Sequence, residues 1–127
     1  SKPFDLRLVD WELADAGDAA WDCANVMQYY WGQWVSVGAP GPEAWNALAA
    51  ALRNFWSAYS GGDEGAQPRF GRATRFTGAR MIQTAYEQFV SAGAWTPMVE
   101  RISRLACLLL TGTDQALKGF EAHGDGP

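Results

Sequence analysis

Five carboxylates, Asp10, Glu12, Asp15, Asp18 and Asp22, fall within thirteen residues that follow a short apolar run ending at Val9. A carboxylate placed just past an apolar strand is carried on rigid backbone and can point into a cleft. That suits a Mg²⁺ ligand, because Mg²⁺ takes one or two carboxylates together with phosphate oxygens and waters. The same density of acid also suits solvated turns and helix caps, and the residue types leave both readings open. A second group, Arg69, Arg72, Arg75 and Arg80, lies at helical spacing, with the first three on one side. Such a face can dock an acidic peptide or a phosphate, or it can be a solvated face offsetting Asp63 and Glu64.

The elements that must hold these residues are read from periodicity. Phe4, Leu6 and Leu8 alternate with Asp5 and Arg7, which predicts a strand over 4–10. Everything after it reads as helix. Asp18 is an N-cap for a helix over about 18–35 with Trp21, Cys23, Ala24, Met27, Tyr30, Trp31 and Trp34 as its apolar residues. Pro42 opens a second helix to about 60, striped by Trp45, Leu48, Leu52, Phe55, Trp56 and Tyr59, and Gly61-Gly62 stops it. Residues 61–68 read as a polar loop. A third helix over about 70–92 is expected to bury Ala79, Ile82, Ala85, Tyr86, Phe89 and Val90. Thr96-Pro97 opens a fourth to about 111, with Met98, Ile102, Leu105, Ala106 and Leu109 inward, and a short last helix spans 114–121.

Composition bounds the rest. A chain of 127 residues with seven Trp, six Phe and four Tyr has the apolar surface for one folded domain and is not a disordered chain. No run is long enough to span a bilayer, and a net charge of −4 argues against a generic nucleic-acid binder. Cys23 and Cys107 sit inside helical patterns, which predicts two free, buried thiols in a reducing cytosol and therefore a cytoplasmic protein. Tyr29, Tyr30, Trp31 and Trp34 are expected to be core, or else to line a pocket.

The segment Leu8-Val-Asp-Trp-Glu-Leu-Ala-Asp-Ala-Gly-Asp-Ala-Ala-Trp-Asp22, continuing as Cys-Ala-Asn-Val-Met, resembles the part of aminoglycoside phosphotransferases and choline-kinase-like enzymes that follows the catalytic loop. In that family a strand leads to Asp-Trp/Phe-Glu, then a Gly-Asp-Pro turn, then Asp-Leu-Ala opening a helix. The likeness covers roughly residues 6–31. It implies a mainly α domain, the helical C-lobe subdomain of a protein-kinase-like fold with one short β element near the N-terminus. It aligns Asp10 with the metal-binding aspartate that joins Mg²⁺ to the ATP phosphates, and Asp22 with a helix aspartate that braces the catalytic loop. Asp18 belongs to the turn, as a cap, and Glu12 supports or orients. Ala19 departs from the family, which usually has Pro there.

The larger departure is the lack of a phosphate-covering loop, a Lys–Glu pair and a His-Gly-Asp…Asn catalytic loop. The resemblance therefore implies the C-terminal part of an ATP-dependent phosphotransferase acting on a hydroxyl. ATP and Mg²⁺ would be cofactors of the complete protein, with none bound by the isolated chain. Its acceptor would be a small molecule. An alternative is Ser/Thr phosphorylation of a peptide in lanthipeptide-type maturation, because Gly78-Ala-Arg-Met-Ile-Gln-Thr and Arg101-Ile-Ser-Arg-Leu-Ala-Cys look similar to such enzymes. A third reading is a non-catalytic helical module derived from a kinase. In each, the remainder of the kinase or another chain is expected to pack on residues 4–34.

Overall fold

The computed structural model describes residues 16–38, 41–63 and 65–112. The expected strand over 4–10 and the last helix over 114–121 lie outside the described residues. Within them the protein is four helices: α1 (Ala19–Ser36), α2 (Pro42–Ser60), α3 (Ala66–Ala92) and α4 (Pro97–Thr111). Their ends follow from local chemistry. The Asp18 carboxylate accepts the Ala20 N–H at 3.0 Å to start α1, and the Thr96 hydroxyl accepts the Val99 N–H at 3.2 Å to start α4. Pro42 and Pro97 occupy first-turn positions, where a missing N–H costs nothing. Gly61 and Gly93 stop α2 and α3 in the left-handed region, with φ of 62° and 65°.

α3 begins at Ala66, not near residue 70, and absorbs part of the expected polar loop. Pro68 suggested a loop, but it sits in the first turn, where the N–H groups have no intrahelical partner.

The short connections make sequence neighbours antiparallel. Trp45 near the start of α2 meets Trp31 and Trp34 near the end of α1. At the other end, Tyr59 near the end of α2 interacts with Cys23 near the start of α1. Asp18 meets Arg72 and Gln28 meets Thr84, so α1 and α3 run in the same direction. α4 returns along α3 with Ala106 and Leu110 against Gly78. α3 is the spine of the bundle, packing most extensively on α4 and next on α1. Met27, Trp31, Leu52, Met81 and Leu109 are fully buried at the centre, each worth roughly 1.5–3 kcal/mol of burial.

The face that α3 buries differs from the expected one. Ala85 is buried, but Ile82, Tyr86, Phe89 and Val90 are exposed; the inward residues are Phe70, Ala73, Thr74, Thr77, Gly78, Met81 and Ala85. This face is rich in small residues, which lets α4 come close. A Cβ built on Gly78 would lie 2.9 Å from both the Ala106 carbonyl oxygen and Leu110 Cγ. The two buried threonines are tolerated because their hydroxyls donate to the carbonyls of Phe70 and Ala73, both at 2.9 Å. The expected stripes on α2 and α4 are closer to what is seen. Leu48, Leu52 and Trp56 are buried in α2, and Ile102, Leu105, Ala106 and Leu109 in α4, where Val99 is buried too and Met98 packs half-buried against the core. Tyr59 is half exposed.

Candidate functional site

Asp10 and Glu12 lie outside the described residues, and the expected metal position lies there with Asp10. Asp18 and Asp22 stand at the N-terminus of α1, where the partial positive charge of the helix favours carboxylates. Asp22 is in the first turn and exposed. Asp18 is engaged through both oxygens. Oδ1 caps α1, and Oδ2 pairs with Arg72 Nη2 at 2.5 Å. That guanidinium also lies 5.8 Å from the Phe76 ring centroid. Phe76 meets Trp21 edge-on at 5.5 Å, and Arg80 covers the other ring at 5.5 Å from the Trp21 centroid. A run of charge and ring contacts thus joins the start of α1 to the first half of α3. Each contact is modest, since the Arg72 side of its pair with Asp18 is mostly exposed and surface pairs contribute about 0–1 kcal/mol. Together they orient α1 and hence the direction from which residue 17 enters it.

With both oxygens occupied, Asp18 is a cap and an anchor for Arg72. Among the described residues no group of three or more His, Cys, Asp or Glu side chains could hold a metal ion.

The four arginines are not one free surface. Arg69 pairs with Asp63 at 2.6 Å, Arg72 with Asp18, and Arg80 donates to Gln83 at 2.7 Å while covering Trp21. Arg75 is exposed. The Gly65 N–H and then the Arg69 guanidinium hold the Asp63 carboxyl below its ordinary value. The expected offset by Asp63 is therefore present, whereas the Asp18 partner of Arg72, 54 positions away, had no signal in local spacing. The Arg72–Phe76–Arg80 spacing of four did carry one, because it places cation, ring and cation on one side of a helix.

The tryptophans divide between the two ends of α1. Trp21 belongs to the Asp18 end. Trp31 is buried and Trp34 half-buried at the other end, with ring centroids 5.9 Å apart and Trp45 6.0 and 5.7 Å from them. Tyr29 is exposed rather than core. Both cysteines are free, but only Cys23 is buried; Cys107 is exposed, because it falls on the outer side of α4. Burial pushes the Cys23 thiol above its ordinary value. No helix among the described residues is long and apolar enough to cross a membrane.

No family model matches the chain, and no curated protein or solved structure matches it either.

Proposed function

We propose that the chain is the C-terminal part of an ATP-dependent phosphotransferase that acts on a hydroxyl of a small molecule. The observation that carries this reading is the order of residue types from Leu8 to Asp22, an apolar run, Asp-Trp-Glu and Gly-Asp, leading into a helix capped by Asp18 with Asp22 in its first turn. The mainly helical fold of the described residues is compatible with it. In this reading Asp10 is the residue toward the metal, Glu12 supports it, and Asp22 braces the neighbouring catalytic loop. The cation, when bound, neutralises charge on the nucleotide phosphates. The role of the described residues is positional: Asp18, Arg72, Phe76 and Trp21 fix the start of α1 on α3.

The test uses the complete protein. Asp10→Asn is expected to abolish phosphoryl transfer with the helical circular-dichroism spectrum and melting temperature unchanged, and Glu12→Gln to reduce it less. Equal turnover by wild type and Asp10→Asn would show that the carboxylate is structural and would overturn the reading.

A further inference from the structure

At the end of α1 remote from Asp18, α1 and α4 diverge and leave a groove of about 290 Å³. Trp34 and Gly38 line it from the α1 side, and Arg101, Arg104, Leu105 and Leu108 from α4. Its wall is apolar apart from the two guanidinium groups, and no carboxylate lines it. Arg104 is matched by Glu100 at 2.6 Å. Arg101 has no such match among the described residues. Its Nη2 donates to Met98 Sδ at 3.9 Å, a weak acceptor. A guanidinium held beside an apolar wall without an anion is under-satisfied, and a carboxylate is the group whose geometry fits its parallel N–H donors.

We propose that this groove binds a small amphipathic carboxylate, its apolar body against Trp34, Leu105 and Leu108 and its carboxylate accepting from Arg101. Size and charge select the class. The volume lies at the lower edge of the roughly 300–1,000 Å³ typical of ligand pockets, so it holds a ring with a short arm rather than a nucleotide. One unmatched guanidinium suits one negative charge rather than the two of a phosphate. The site is separate from the Asp18 end of α1 and does not depend on the phosphotransferase reading.

The experiment titrates the isotope-labelled 127-residue chain with 3-phenylpropionate and, in parallel, with the neutral 3-phenylpropionamide, following backbone amide and indole N–H signals. The acid is expected to give saturable shifts at the Trp34 indole, Gly38 and residues 101–108, with a Kd near or below about 1 mM. The amide is expected to bind roughly tenfold more weakly or worse, as is the acid to Arg101→Gln. Leu108→Glu, at an exposed position where a charge does not disturb the core, is expected to weaken the acid similarly. Circular dichroism checks that both variants remain folded. Equal binding of acid and amide, shifts centred elsewhere, or no saturable shift up to the solubility of the acid would each overturn the proposal. So would groove signals that move with protein concentration alone, since a second copy of the chain would then be the occupant.

Discussion

Gly78 decides how closely α4 approaches α3, because no room exists for even one methyl between it and the Ala106 carbonyl. Gly78→Ala pits two effects against each other. The helix gains about 1 kcal/mol of propensity, while overpacking against backbone costs about 1–3 kcal/mol because a carbonyl cannot rotate aside like a side-chain tip. The packing term is expected to win, lowering the denaturation midpoint; a rise in midpoint would mean that α4 slides freely. The two thiols offer a second test at this scale. Cys107 is exposed and Cys23 buried with a raised pKa, so a disulfide reagent at mildly alkaline pH is expected to label one thiol rapidly and the other only on unfolding. Cys107→Ser should remove the rapid phase. The sign of the pH effect follows from linkage. A thiol whose folded value is raised contributes stability that is full below the unfolded value of 9.0 and is lost as pH rises through the folded one. Desolvation is the main cause of the shift. The melting temperature is therefore expected to fall above about pH 9 less steeply in Cys23→Ala than in wild type.

The rotation of α3 relative to its most hydrophobic stripe is the main finding at the scale of elements. Met81 is 1% exposed and Ile82 43% exposed, so adjacent residues should respond oppositely to truncation. Met81→Ala is expected to cost about 2–5 kcal/mol, and Ile82→Ser less than about 1 kcal/mol, both read from denaturant midpoints. Similar costs would place Ile82 inside. The start of α1 allows a paired test. Asp18→Ala removes a cap and an ion-pair partner and is expected to cost about 1 kcal/mol. Arg72→Ala should cost less, because its side of that pair is mostly exposed. A double-mutant cycle should return a coupling of a few tenths of a kcal/mol, diminishing with added salt. A salt-independent coupling would show that the pair is buried in solution.

For the whole molecule, the expectation is that the isolated chain turns over no ATP with any acceptor. Phosphoryl transfer depends on several positioned groups, and in the proposed reading the catalytic loop and the nucleotide lobe belong to the complete protein. Measurable turnover abolished by Asp10→Asn would contradict that expectation. Light scattering over a concentration series addresses the expected packing of another chain or segment on residues 4–34. Self-association mapped to that region by hydrogen exchange would agree with it, whereas a monomer at every concentration would not.

Apart from the start of α3, helix starts and stops were legible in the sequence because they are local chemistry. Asp18 and Thr96 cap within three residues of themselves, Pro42 and Pro97 favour first turns, and Gly61 and Gly93 adopt a conformation that other residues resist. α2 and α4 were also legible, since one partner face takes up one apolar stripe. α3 was not, because it is the spine and packs on α4 as well as α1. Periodicity located its large apolar residues, but the buried face carries the small ones, Ala73, Gly78 and Ala85, and at Gly78 the backbone of α4 comes close. The acidic segment and the arginine spacing were visible as residue types. That Asp18 would take Arg72, that Arg101 would be left without a carboxylate, and that Cys107 would face outward were decided only by tertiary structure. Each depends on which helices meet and at what height, a property of distant residues brought together rather than of neighbours along the chain.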